Sequence, residues 1–189
     1  LLAAWFTTLA SKLQPLSNAK AKSDFLFQLN NYGDESHRHH RHAFFQAVQL
    51  KARALLPPSP TPGGYKAIFD RHLNPSIYAL SEQLQDVRNS HARDDLSADS
   101  IPVFVAIDEC VTLPPTLLVS IRRAWNHIGK LEAGDGSDNT NKRIVCFWLL
   151  LMSTSSGAST LVRPQQQQSS DRDKIAIALP TFVGIGFDV

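Results

Sequence analysis

The sequence predicts an α/β chain: a helical N-terminal half followed by a parallel sheet. Residues 101–107 form an apolar run without apolar/polar alternation, which stops abruptly at Asp108 and Glu109. Residues 144–152 form a second such run, followed by Ser153, Thr154, Ser155, Ser156 and Gly157. Between them, at about 115 to 129, apolar residues recur at helical spacing. Unalternated runs rich in Val, Ile and Phe fit strands covered on both faces. Strand, helix, strand at this spacing is a βαβ unit, for which a right-handed crossover is expected. Both strands then point the same way. Their carboxyl ends, where open α/β sheets place ligands, bring Asp108 and Glu109 beside Ser153 and Thr154.

Taken in order, Leu2, Trp5, Phe6, Leu9 and Leu13 recur on one helical face, and this first helix is expected to end before Pro15. Ser23 or Asp24 is suited to cap a short second helix carrying Phe25, Leu26 and Leu29, with a strand over Phe25 to Leu29 as the competing assignment. Residues 30–34 read as a loop. The window from Ser36 to His42 holds His37, Arg38, His39, His40, Arg41 and His42. A solvated helix start is the plain reading of it, with metal capture or phosphate binding as the functional ones. That helix continues through Phe44, Phe45, Val48 and Leu55, and the proline-rich residues 56–64 end it in an extended loop. Asn74 and Pro75 suit the cap and first turn of a further helix with the stripe Ile77, Leu80, Leu84 and Val87.

Past a polar stretch at 89–100, Pro102 is tolerated at the start of the first strand. Leu113, Pro114, Pro115 and Thr116 open the crossover helix, with its stripe at Leu117, Leu118, Ile121, Ala124, Trp125 and Ile128. Arg122 and Arg123 point partly away from that stripe. Residues 133–141 are a flexible loop by composition, at the end of the sheet opposite the carboxylates. Gln165 to Ser170 read as a mobile polar tract, and Ile175 to Leu179 as a short further strand.

Composition excludes several classes. With 189 residues, 43% hydrophobic and 19% charged, the chain can bury a core and is not wholesale disordered. A net charge of +2 gives no clear nucleic-acid signal. Cys110 and Cys146 lie at or inside apolar runs and read as buried thiols, not a disulfide framework. The N-terminal apolar stretch lacks a basic n-region, and no run approaches a membrane span. The expectation is a soluble intracellular protein, cytoplasmic or nuclear.

Four or more apolar residues followed by Asp108 and Glu109 resemble the Walker B segment of P-loop NTPases. Ser153 and Thr154, ending the next strand, resemble the sensor 1 position of the AAA+ and STAND ATPases. Together with Leu179, Pro180, Thr181 and Phe182, and with Gly186, Phe187 and Asp188, these segments look like a group of P-loop ATPase-like proteins of mushroom-forming fungi. The resemblance covers residues 100–189 well and the first hundred loosely. It implies a P-loop NTPase-type three-layer sandwich, with residues 1–189 as a single incomplete domain: a helical segment at 1–100 and the Walker B and sensor 1 core at 101–189. It also implies ATP as ligand, with Asp108 holding Mg²⁺ through water and Glu109 orienting the attacking water. Ser153 or Thr154 would contact the γ-phosphate, and Arg163 is a further phosphate-binding candidate.

One departure weighs against the matches. The phosphate loop G-x-x-x-x-G-K-[ST], whose backbone N–H groups and Lys hold the phosphates, does not occur. Gly63, Gly64, Tyr65 and Lys66 lack the following Ser or Thr, and Gly129 and Lys130 fail at the same place. The chain also begins inside a helix-like stretch without Met. A fragment of an ATPase, inactive alone, is therefore expected. The alternative is a degenerate ATPase-like domain serving as a non-enzymatic interaction or switch module. Two weaker readings are a metal site on the His run and catalysis by Cys110 with His127.

Overall fold

Helical spacing of apolar residues, punctuated by proline, sets out the first half of the molecule. The computed structural model describes residues 1–30, 35–55, 64–91, 102–108, 110–132 and 146–152. Helix α1 spans Leu2–Leu13, stopping before Pro15 as expected. Its burial is wider than the predicted single face. Ala4, Thr8 and Ala10 are buried along with Leu2, Phe6 and Leu13, because α1 packs against several other helices.

Helix α2 spans Ala19–Asn30, which overturns the strand alternative and also the Ser23 or Asp24 cap. Asn18 begins it instead. Its Oδ1 accepts the N–H of Ala21 at 2.8 Å, satisfying one of the orphan donors of the first turn. Helix α3 spans Glu35–Leu55, so the His-rich run is helical. Phe44 and Val48 bury against Ala4 of α1, with Trp5, Leu9, Leu29, Ala52 and Leu55 packed around them.

Helix α4, Gly64–Ile68, runs through a π-helical turn, Phe69–Leu73, into α5, Asn74–His91. Asn74 is therefore not an N-cap. It has helical dihedrals, and its N–H bonds the carbonyl of Phe69, five residues back. Pro75 is the physical reason. A proline inside a helix donates no hydrogen bond and crowds the carbonyl four residues earlier, and a wider turn relieves that crowding. The α5 stripe of Ile77, Leu80 and Leu84 is buried as expected and meets α1. Lys22 of α2 is also buried. Its ammonium donates to Asp86 Oδ2 at 3.0 Å and to the Gln83 carbonyl at 3.1 Å, tying α2 to α5.

The second half supplies two strands, β1 (Val103–Ile107) and β2 (Phe147–Leu151), with α6 (Pro115–Glu132) between them in sequence. A 3₁₀ turn at Cys110–Thr112 leads towards α6. The strands form one two-stranded parallel sheet. The Val103 N–H donates to the Cys146 carbonyl at 2.7 Å and the Met152 N–H to the Ile107 carbonyl at 2.9 Å. Strand over both apolar runs, and the parallel pairing, are thus as the sequence predicts.

Coverage on both faces is not. Phe104 is 56% exposed, Trp148 is 55% exposed, and Ala106 and Leu150 are exposed as well, whereas Val105 and Phe147 are buried. Each strand alternates in burial although its sequence does not alternate in polarity. Absence of alternation permits burial of both faces but does not compel it, since something must still pack on each.

The chain divides into two compact units. One is Leu1–Val103 with His127–Trp148, and the other is Phe104–Asn126 with the residues from Leu149 onward. Among the described residues the molecule is mostly helical, with this small parallel sheet. No described helix is long and apolar enough to cross a membrane. Of the loops expected at 30–34 and 56–64, Asn30 and Gly64 are instead helical; the rest of both, the loop at 133–141, the polar tract from Gln165 and the strand at Ile175 to Leu179 lie outside the described residues.

Candidate functional site

The edge picked out by sequence is built from backbone. Ile107 ends β1, and its carbonyl receives the Met152 N–H. Beyond the turn, the Cys110 N–H donates to the Met152 carbonyl at 3.0 Å. Met152 is thus gripped from both sides of the Asp108 turn, and the buried Cys110 side chain anchors its far end. Asp108 sits in that turn with its residue exposed to solvent. The carboxyl ends of β1 and β2 therefore lie together, which brings Asp108 beside the residue that precedes Ser153. Glu109, Ser153, Thr154 and Arg163 lie outside the described residues. An exposed carboxylate at such an edge can accept hydrogen bonds from metal-bound water or hold a hard cation directly.

A denser polar network lies elsewhere, at the π-helical turn. Lys66 Nζ donates to Asp70 Oδ2 at 2.6 Å, and Asn74 Nδ2 donates to Asp70 Oδ1 at 3.3 Å. His127 Nε2 lies 2.7 Å from Asn74 Oδ1 and 3.9 Å from Asp70 Oδ1. Since the Asn74 carbonyl oxygen can only accept, Nε2 of His127 carries the proton. The Phe69 ring lies 5.2 Å from the imidazole, centroid to centroid. The Lys66 hydrogen bond holds the Asp70 carboxyl below the usual carboxylate range. Burial holds the His127 imidazole below its ordinary value against the opposing pull of Asp70. The result is a neutral, oriented histidine that joins α6 to the π-helical turn.

Sequence reading names His127 only as a partner for Cys110. Its actual partner, Asn74, is 53 residues away in sequence, and no local pattern links the two. The one signal was the Asn74-Pro75 step, which marks an irregularity but not what meets it. Glu132, at the end of α6, was also missed. Its Oε1 accepts the Phe147 N–H at 2.7 Å at the start of β2. Loss of water around the carboxylate raises its pKa despite that bond.

Two histidines of the His run are hydrogen-bonded within α3. His39 Nδ1 meets the Glu35 carbonyl at 3.1 Å, and His42 Nε2 accepts from Gln46 Nε2 at 3.0 Å. Among the described residues no three His, Cys, Asp or Glu are grouped so as to hold a metal ion. Arg122 and Arg123 are half-buried on α6. Cys110 and Cys146 are not joined in a disulfide; Cys110 is buried as expected, whereas Cys146 is only half-buried. Comparison of the chain with protein-family models, curated proteins and solved structures finds no match.

Proposed function

We propose that β1 and the turn after it form the metal-and-water side of a P-loop-type nucleotide site. The observation that carries this is the parallel pairing of β1 with β2, which sets Asp108 next to Met152 at a shared carboxyl edge. Asp108 holds Mg²⁺ through water, in keeping with a cation that retains much of its hydration and takes one or two carboxylates from the protein. Glu109 orients the attacking water, Ser153 or Thr154 contacts the γ-phosphate, and Arg163 neutralises phosphate charge. Phosphoryl transfer to water depends on such positioning and electrostatics. In this reading the sheet belongs to a three-layer sandwich, and the exposed faces of β1 and β2 are those a further layer covers. The phosphate-cradling loop does not occur in this sequence, so the 189-residue chain alone should show no measurable ATP hydrolysis.

Titration of the chain with Mn²⁺–ATP, followed by paramagnetic broadening of backbone amide signals, tests the site directly. Broadening should centre on Asp108 and Met152 and vanish in Asp108→Asn. Broadening centred elsewhere, or unchanged by that substitution, sinks the proposal. Where a phosphate loop is supplied and turnover is present, Glu109→Gln should reduce kcat by about 10²–10⁴-fold, the usual range for a residue handling the proton of the attacking group.

A further inference from the structure

We propose that the exposed face of α3 is a docking surface for nucleic acid, engaging the phosphate backbone. This goes beyond the nucleotide reading and does not depend on it. The helix carries Arg38, Arg41, Lys51 and Arg53 against a single acid, Glu35, and adds four histidines. A chain-wide charge of +2 averages this concentration away. Arg38, His42, Gln46, Gln49 and Arg53 are all exposed and follow one another at intervals of three or four residues, the spacing that keeps side chains on one side of a helix. They make a continuous stripe of polar groups with an arginine at each end. Arg41 lies over the Phe45 ring, 5.5 Å from its centroid, at the edge of the same stripe. With 21 residues the helix is about 31 Å long, enough to track several phosphates of a strand or to lie along a major groove.

The packing favours nucleic acid over a lipid surface. A membrane-surface helix must bury its apolar face among acyl chains. The apolar face of α3, with Phe44, Val48, Ala52 and Leu55, is already packed with Ala4, Trp5 and Leu9 of α1. What remains for a partner is mostly basic and amide-bearing, which suits phosphates and base edges, with Phe45 and Leu50 exposed beside it and too few to anchor a helix among acyl chains.

Fluorescence anisotropy of the 189-residue chain against a labelled duplex of about 20 base pairs, at rising salt, tests this, because each lost phosphate contact lowers the log–log salt slope by about one. The double variant R38E/R53E should bind more weakly and lose about two units of slope. R38Q/R53Q should lose the same slope with less disturbance of the fold. K12E/K130E, which reverses two exposed charges on α1 and α6, should leave the slope unchanged. Absence of binding at low salt would overturn the proposal. So would an equal loss in K12E/K130E, or binding to phosphatidylserine vesicles in place of the duplex.

Discussion

Two aspartates show how differently the molecule treats an acid. Asp70 is held by Lys66 and Asn74, and through Asn74 it is coupled to a half-buried histidine. Asp108 sits on a turn after a five-residue strand, exposed, at the rim of a two-stranded sheet. The first arrangement spends its polar groups on holding helices together. The second places an acid in the turn that joins two strand ends, at a solvent-exposed position. A dense, pKa-shifting network is therefore not by itself the mark of a site, since structural networks shift pKa values too.

The contrast is sharpest in stability. Phe6→Ala removes a ring that is 1% exposed and stacks on Phe147 with centroids 5.4 Å apart, and should cost about 3–5 kcal/mol by urea denaturation. Trp148→Ala, on the exposed face of β2, should cost no more than about 1 kcal/mol. Equal costs would mean that the strand face is covered in solution.

The network around Asp70 comes next. Asn74→Ala removes both the acceptor for His127 and a donor to Asp70, and should destabilise by about 1–3 kcal/mol. A value near zero would show the cluster to be incidental.

His127 also sets a pH dependence. Its imidazole is held below the ordinary value of 6.5, so the fold prefers the neutral ring. That preference is fully present above the ordinary value and is lost as the pH falls from there through the lower folded value. Stability should therefore drop as the pH falls below about 6.5, and His127→Gln, which keeps a donor for Asn74, should flatten that drop. A slope unchanged by the substitution would assign the drop to other groups.

The smallest effect is expected at the other aspartate. Asp108→Asn should change stability by less than about 1 kcal/mol, as exposed positions usually do. Its consequence should appear in the Mn²⁺–ATP titration alone. A large destabilisation would make Asp108 a structural residue and remove the basis for its proposed role.

Much of the local structure was legible in the sequence. Pro15 ends α1 and Pro115 opens α6, because a proline fixes its own φ and restricts the residue before it. The two apolar runs became strands because β-branched and aromatic residues favour that backbone. Asn18 was missed as the start of α2 because Ser23 and Asp24 offered equally good capping chemistry, and choosing between them needs the tertiary position of the helix. The π-helical turn was missed for a similar reason. Asn74-Pro75 suits a helix start as well as a strained interior, and only the continuation from α4 distinguishes them.

By itself the sequence left α2 open and missed α4. It determined that α1, α3, α5 and α6 are helices and that the two apolar runs are strands, that β1 and β2 run parallel, and that an acid follows β1. These follow from backbone propensity, proline geometry and a helix-bearing connection between the strands, which parallel neighbours require. Only the tertiary structure decided that one face of each strand stays open, that α1 is buried on several sides, and that His127 meets Asn74. Those outcomes depend on what packs where, and packing joins residues that no sequence spacing links.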